Sequence, residues 1–524
     1  MTNQSSFRCA ADIVRTYALE KPAAEMIKFG AISVLWADMD NRSNRVAQGL
    51  IASGIRPQER VAFLEKNSIE YFEVLYGCSK ANVVDVSVNW RLAPAEILYT
   101  LNDSEAKLLF VGADFFAAVE SIEAELTSVL TIVALGDHPR WVSYDTWTSS
   151  REAIDPKVPA QTSDIAFQLY TSGTTGLPKG VMTSNANLFK LVSNVLDAWG
   201  MDETSKNVAT MPLFHIGGSG WAVAGQYIGA TTLLVRDPLP NVLLDLMEHE
   251  RATNAFYVPA LLAFMALTPG ASDRDYSSMR SVVYGASPIT NEVLMASMAT
   301  LKCPHIQVYG MTETTGAITE LSPEDHDPGG PRAHLLRSAG KPYPWVEMQI
   351  VDTETGEVQA PGSVGELWTR SAQNMVGYWN KPEETAKTFT ADGWLKTGDA
   401  GYIDEEGFLF LTDRVKDMIV SGGENVYPAE VENALASHPA IAEVAVIGVP
   451  SDKWGETVKA VVVLRDGAIA DEQSIIKHAK VLLAGFKCPT SVDFVAVLPR
   501  NPSGKVLKKD LREPFWAGKS RRIN

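Results

Sequence analysis

The densest chemistry lies in Tyr170-Thr-Ser-Gly-Thr-Thr-Gly-Leu-Pro-Lys-Gly180, where hydroxyls and glycines are followed by one lysine. Glycines let a backbone approach phosphate oxygens, hydroxyls donate to them, and the lysine adds a movable positive charge. The segment is not a Walker A loop. Counting from Gly173, its sixth position is Pro178 instead of glycine, and Lys179 is followed by Gly180 instead of Ser or Thr. Its phosphate-contacting candidates are Thr171, Ser172, Gly173, Thr174, Thr175, Gly176 and Lys179.

Other segments carry further candidates. Tyr309-Gly-Met-Thr-Glu313 sets an aromatic face, a hydroxyl and a carboxylate around a turn that Gly310 permits. Asp399, after Lys396-Thr-Gly, is a turn aspartate by default, yet its two carboxylate oxygens suit a vicinal diol. His215 follows an apolar Pro-Leu-Phe, where a lone histidine is ordinarily a satisfied core residue. Lys505 ends Asn501-Pro-Ser-Gly-Lys, a turn-rich stretch in which a lysine is ordinarily solvated.

These motifs, with Pro212-Leu-Phe-His-Ile-Gly217, Gly365-Glu-Leu-Trp368, Gly377-Tyr-Trp379, Thr397-Gly-Asp399, Asp413-Arg-Val-Lys-Asp417 and Gly422-Gly-Glu-Asn-Val-Tyr-Pro428, follow one another in a familiar order. Over essentially its whole length the chain resembles the acyl-adenylate-forming superfamily of acyl-CoA synthetases, firefly luciferases and peptide-synthetase adenylation domains. The resemblance implies that Tyr309 stacks on adenine beside Gly310 and Met311, with Gly285, Ala286 and Ser287 along the base. It implies that Thr312 bonds the adenylate phosphate, Glu313 ligates Mg²⁺, Asp399 holds the ribose, and Arg414 reaches ribose or phosphate. Lys505 would contact the reacting carboxylate and the α-phosphate. His215 would gate the carboxylate and thiol entry, positioning without abstracting a proton. Lys416 would be the hinge of a mobile C-terminal domain, and Gly422 and Gly423 would lie near the pantetheine of coenzyme A. Two positions depart from the family pattern. Tyr284 stands where a second glycine or a serine is usual, and Asn185 where many relatives carry histidine.

Positioning these residues requires α/β layers. Strand-like runs Arg60–Leu64 and Lys107–Val111 alternate with helical patterns at Ser68–Ser79 and Ala95–Leu101. Residues 138–163, rich in Pro, Ser, Thr and Trp, read as a connecting loop. A second α/β set has strands at Ile165–Tyr170, Thr231–Val235 and Ser281–Tyr284. After Arg337, short strands such as Glu347–Asp352 and Gly365–Thr369 between turns suggest a small β-barrel or distorted sheet. Beyond Asp413 a compact α+β stretch follows, with helices at Pro428–Ser437 and near Asp471–Leu483 and strands at Val444–Gly448 and Ala460–Leu464. The expected organisation is a large N-terminal adenylate-forming domain, residues 1–412, built of two α/β subdomains and the small barrel. A small mobile α+β domain, residues 413–524, would follow it.

A chain of 524 residues needs more than one core. Its net charge of −17 argues against nucleic-acid binding, so polyanionic substrates would depend on local lysines, backbone N–H groups and a metal. Cys9, Cys78, Cys303 and Cys488 are too scattered for a disulfide framework or a metal motif. Asp12 and Arg15 interrupt the run a signal peptide would need, and no apolar stretch reaches membrane-spanning length. A cytoplasmic enzyme is expected, with self-association as a homodimer left open.

The expected reaction is ATP- and Mg²⁺-dependent joining of a carboxylic acid to coenzyme A through an acyl-adenylate, with release of AMP and pyrophosphate. The rival acceptor is a carrier-protein thiol. A binding protein without catalysis is disfavoured by Lys179, Glu313, Asp399 and Lys505 occurring together. Acyl-pocket candidates are Trp221, Tyr227, Tyr257, Tyr284 and Gly316, with Ala286 and Ser287. The small run Gly217-Gly-Ser-Gly220 suggests room for more than acetate, and the absence of an obvious fixed cation in these segments favours an apolar tail. Medium- or long-chain fatty acids lead, with aromatic or alicyclic acids behind them.

Overall fold

A computed structural model describes residues 4–171, 178–287, 289–414, 417–421, 424–426, 428–451, 454–483, 485–500 and 506–517. The chain forms two compact units, residues 1–346 with 370–389 and residues 347–369 with 390–524. The first unit thus regains twenty residues after the chain has left it, and those residues prove central to the site.

Two sheets dominate the first unit. The nine-stranded sheet runs in the order 341–342, 316–321, 305–311, 281–285, 254–257, 206–209, 231–234, 25–29, 32–35. Strand Lys206–Ala209 is flanked in parallel by Thr231–Leu234 on one side and Asn254–Tyr257 on the other. The connections therefore leave in opposite directions there, opening a crevice at the carboxyl ends of the strands, where α/β sheets bind ligands. The eight-stranded sheet has a second such point, with Arg60–Leu64 between Val84–Ser87 and Leu108–Gly112.

The strands expected at 60–64, 107–111, 165–170, 231–235 and 281–284 appear as Arg60–Leu64, Leu108–Gly112, Ile165–Thr171, Thr231–Leu234 and Ser281–Gly285. Arg60–Leu64 and Leu108–Gly112 are buried at every residue, which is why they read as near-continuous apolar runs. The stretch 138–163 is not all loop. Ser143 accepts from the Thr146 amide and starts helix Tyr144–Ser149, whose Tyr144 and Trp147 are buried. Trp147 packs edge-on to Phe110 and fills the space over Gly49, where a Cβ would lie 2.4 Å from the indole.

In the second unit, Glu347–Val351, Gly365–Arg370, Leu395–Ile403 and Leu409–Arg414 form one four-stranded sheet. Its register shifts between Glu366 and Trp368 and between Ala400 and Gly401, the distortion that closely spaced turns imposed on the sequence pattern. The remainder is α+β. A sheet built on the long antiparallel pair Ile441–Ser451 and Gly455–Leu464 packs with helices Pro428–Ala436 and Glu472–Leu482. Ile419, Val431, Leu435, Val446, Val458 and Ile475 form its core. No described helix is long and apolar enough to cross a membrane.

Candidate active site

Strand His305–Met311 turns through the short helix Thr312–Thr314 into the antiparallel strand Gly316–Leu321. The turn is tight. A Cβ on Gly310 would lie 1.9 Å from the Gly316 carbonyl oxygen, and Thr315 and Gly316 adopt φ of 55° and 105°. Thr314 closes it, accepting from the Met311 amide at 3.0 Å and donating to the Gly316 carbonyl at 2.7 Å. Glu313 is left only 7% exposed. From outside, the Gln373 amide donates to the carbonyls of Thr314 and Ala317 at 2.8 and 2.9 Å. The Met375 amide donates to the Glu313 carbonyl at 2.8 Å.

The same returning segment brings a tyrosine to the carboxylate. Strand Gly377–Tyr378 pairs antiparallel with Lys179–Ser184, placing Tyr378 opposite Val181. Its hydroxyl donates to Glu313 Oε1 at 3.0 Å, and its ring centroid lies 4.9 Å from Lys179 Nζ. Burial, and then the Glu313 charge, push the phenol above its usual range, so it stays a donor. Lys179 donates to Glu384 Oε2 at 2.6 Å, and Lys387 donates to Glu384 Oε1 at 3.0 Å. The hydrogen bonds from Lys179 and then Lys387 hold the Glu384 carboxyl down at about 2.

Asp103 holds one end of the glycine- and threonine-rich segment, and Tyr99 stands between that carboxylate and the other end. Asp103 accepts from the Tyr170 hydroxyl and from Lys381 Nζ, each at 2.8 Å. The Tyr99 hydroxyl lies 3.1 Å from both Asp103 Oδ1 and the Pro178 carbonyl oxygen. Ser172, Gly173, Thr174, Thr175 and Gly176 lie outside the described residues.

Next to the Glu313 turn is an apolar cavity of about 100 Å³. It is lined by Trp199, Trp221 and Phe256, by Leu191, Ile216, Val283 and Val308, and by Gly217, Gly220, Ala286, Gly310, Gly316 and Ala317. Both indole N–H groups are already engaged, Trp221 with the Val208 carbonyl at 2.9 Å and Trp199 with the Tyr343 hydroxyl at 3.0 Å. Trp221 lies 5.2 Å from Trp199 and 5.7 Å from Phe256, centroid to centroid. Helix Ile216–Tyr227 supplies one wall. Gly218 allows its first turn to press on the preceding loop, since a Cβ there would sit 2.2 Å from the Pro212 carbonyl oxygen. Asn67 braces that loop from the other sheet, donating to the Met211 and Val235 carbonyls and accepting from the Leu213 amide.

His215 caps this helix in an extended conformation, its Nε2 buried without a hydrogen-bond partner among the described residues. Burial, and then the Arg91 charge, push the imidazole down to about 4. The ring is therefore neutral near pH 7, which suits positioning and not proton transfer.

Of the other expected residues, Gly285 ends its strand against the Val308 carbonyl oxygen, 2.3 Å from where a Cβ would be. Ala286 takes the left-handed φ of 66° and is exposed with Ser287. Tyr309, Met311 and Thr312 are partly exposed at the carboxyl end of strand His305–Met311, and Thr171 is partly exposed at the end of strand Ile165–Thr171 in the other sheet. Three expected pocket tyrosines do not line the cavity. Tyr227 packs between Phe7 and Phe189, Tyr257 lies in the core with its hydroxyl 3.3 Å from Met247 Sδ, and the Tyr284 hydroxyl meets His326 Nε2 at 2.9 Å. Asn185 is structural, its amide donating to the Gln161 and Asp164 carbonyls. In the second unit, Asp399 is in register with Arg414 on neighbouring antiparallel strands, after Gly398 at φ 71°. Lys416, Gly422, Gly423 and Lys505 lie outside the described residues.

Sequence reasoning assigned no role to Tyr378, Glu384, Gln373 or Trp199. Tyr378 had a signal, the Gly377-Tyr-Trp379 motif, whereas Glu384 sits in a plain charged helix, Pro382–Thr388. As for a metal, the described residues contain no group of three or more His, Cys, Asp or Glu that could cage one. The single buried carboxylate of Glu313 suits Mg²⁺, which commonly takes one or two carboxylates and completes its shell with phosphate oxygens and water.

Comparison with known proteins agrees with this geometry. Residues 14–379 match the family model for AMP-binding enzymes, and residues 430–505 match the AMP-binding enzyme C-terminal domain. The chain is 40% identical over 514 residues to a fatty acid–[acyl-carrier-protein] ligase, ScoC, of Streptomyces coeruleorubidus, covering 97% of this chain and 96% of that one. It is 34% identical over 498 residues to a feruloyl-CoA synthase of an Amycolatopsis species, covering 94% and 96%. Among solved structures, ATP-bound MatB from Rhodopseudomonas palustris superposes with a TM-score of 0.88 at 30% identity, covering 97% and 99%.

Proposed function

The chain belongs to the family of AMP-binding enzymes, and on that footing we propose that this AMP-forming acid ligase joins a medium- or long-chain fatty acid to coenzyme A. One observation carries the reading. A single hairpin turn lines the apolar cavity with Gly310, Gly316 and Ala317 and carries the buried Glu313 between them, one tyrosine away from Lys179. An acid whose tail enters the cavity would therefore present its carboxylate at the charged cluster, and a tail longer than a few carbons would extend beyond those 100 Å³.

A carboxylate is a poor electrophile because its own charge repels a nucleophile. In the first step its oxygen attacks the α-phosphorus of ATP, forming a mixed anhydride as the bond to the pyrophosphate oxygen breaks. Positioning and charge neutralisation do most of this work. Thr171 to Gly176 and Lys179 are assigned to the phosphates, Tyr309 and Gly285 to Ser287 to the adenine, Asp399 to the ribose, and Arg414 to the ribose or a phosphate. Thr312 is assigned to the adenylate phosphate and Lys505 to the carboxylate and α-phosphate. Mg²⁺ held by Glu313 would supply neutralisation of phosphate charge. In the second step a thiol sulfur attacks the carbonyl and AMP leaves. Rotation of residues 413–524 about Lys416 would remove Lys505 and bring Gly422 and Gly423 to the pantetheine.

A second acceptor has a specific observation behind it, because the relative at 40% identity is named for ligation to an acyl-carrier protein. The two are separated by giving the enzyme ATP, Mg²⁺ and C6 to C16 acids with either coenzyme A or a pantetheinylated carrier protein. Consumption of the free coenzyme A thiol with AMP formation is expected. Acylation of the carrier alone would transfer the assignment to the second acceptor.

A further inference from the structure

The ion pair between Lys179 and Glu384 serves no purpose in the chemistry above, yet it occupies the lysine assigned to ATP. The Lys179 side chain is 10% exposed and that of Glu384 28%, so water screens the pair only partly. Glu384 Oε2 stands 2.6 Å from Lys179 Nζ, the position a phosphate oxygen would take to bond the same ammonium. The Tyr378 ring covers another side of that ammonium at 4.9 Å. A triphosphate approaching Lys179 thus meets a carboxylate of its own sign.

Glu384 also has somewhere to go. Its other oxygen is bonded to Lys387 at 3.0 Å, one turn along the same helix, and Lys387 is 71% exposed. On release from Lys179 the carboxylate keeps a cationic partner and gains access to solvent. The exchange therefore leaves no buried charge unpaired, which is the costly outcome in such swaps.

We propose that Glu384 is a built-in competitor for the phosphate-binding lysine, a carboxylate that ATP must displace from Lys179 and that sets the enzyme's ATP affinity. This rests on the assignment of Lys179 to the nucleotide phosphates. The side chain touches no reacting atom, so its influence falls on binding of ATP and not on the chemical step. Removing its charge leaves Lys179 less well compensated in the free enzyme and more available to an incoming anion.

The test uses the full-length enzyme with MgATP, following nucleotide binding by calorimetry and thermal unfolding with and without ATP. Glu384→Gln keeps the side-chain shape and is expected to tighten the ATP Kd about 3- to 10-fold, the equivalent of losing one moderately screened ion-pair competitor. Its free form should melt lower than wild type, and its ATP-induced rise in Tm should be larger, as linkage requires. In a Lys179→Met background the same substitution should change ATP affinity less than twofold. Unchanged or weaker ATP binding by Glu384→Gln alone would overturn the proposal and make Glu384 a support that orients Lys179. If wild type and Lys179→Met bind ATP equally, the assignment of Lys179 fails, and the proposal with it.

Discussion

The Tyr378 hydroxyl is bonded to Glu313 Oε1 at 3.0 Å while the face of its ring lies 4.9 Å from Lys179 Nζ, so one side chain orders both charged groups of the site. Tyr378→Phe removes the first contact and keeps the second. A hydrogen bond to a charged group contributes about 1.5–3 kcal/mol, so the Mg²⁺ concentration giving half-maximal ATP–pyrophosphate exchange should rise roughly tenfold or more. The KM for ATP at saturating Mg²⁺ should move much less. Equal shifts in both would mean that the tyrosine supports the site as a whole.

Gly220 lines the cavity from the middle of helix Ile216–Tyr227. A Cβ there would lie 3.4 Å from Ile216 Cδ1, an ordinary contact. Gly220→Ala should therefore stabilise the protein by about 0.5–1 kcal/mol while narrowing the pocket. The expected result is a higher Tm, a lower kcat/KM for the longest acids accepted, and an unaltered KM for ATP. Unchanged chain-length preference would place the acyl tail elsewhere.

With both indole N–H groups of the cavity engaged by the protein, a hydroxyl on the substrate tail finds no partner from them. A pocket of this kind discriminates against an added hydroxyl by roughly 10². Matched acids, octanoate against 8-hydroxyoctanoate for instance, should differ in kcat/KM by about that factor. Equal values would indicate a polar group reaching the tail.

His215 is held neutral by burial and the nearby Arg91 charge, at about pKa 4. His215→Phe should lower the rate through packing while leaving the pH profile between pH 6 and 8 unchanged in shape. Loss of an acidic limb in that range would restore a proton-transfer role to the imidazole.

Asp85 is fully buried on strand Val84–Ser87, with Oδ2 bonded to Ser87 at 2.6 Å and Oδ1 without a partner among the described residues. Burial raises its pKa from 3.8 to about 7. Between those values the folded protein keeps the proton that the unfolded chain gives up, so stability falls as pH rises through this window. Asp85→Asn escapes that loss. Its Tm advantage over wild type should grow from pH 4 to pH 7 and level off above, whereas a pH-independent difference would contradict the assignment.

How far the sequence reveals this arrangement depends on the kind of signal. Fully buried strands such as Leu108–Gly112 announce themselves by composition, and Gly310 and Gly316 stand in a turn motif whose geometry needs them. Helix Tyr144–Ser149 was obscured because its Ser and Thr content reads as loop, while the burial that stabilises it comes from Gly49, Glu73 and Phe110. The tyrosines 227, 257 and 284 were expected at the pocket on residue type alone, and only packing separates them from Trp221. The sequence does not pair Tyr378 with Glu313 or Glu384 with Lys179, because the segment 370–389 returns to the first unit after the chain has left it. No local pattern encodes a partner 65 residues away.

The proposed function stands on activation of the carboxylate by AMP transfer at Glu313 and Lys179. Its most direct test is acid-dependent exchange of labelled pyrophosphate into ATP, with no thiol present and with nucleotide products separated after thiol is added. Label should enter ATP only when an acceptable acid and Mg²⁺ are supplied, Lys179→Met and Glu313→Gln should each depress that rate by on the order of 10²-fold or more, and the nucleotide product should be AMP. Appearance of ADP and orthophosphate, or no exchange with any acid from C6 to C16 or its aromatic counterparts, would rule out adenylation of the acid at this site.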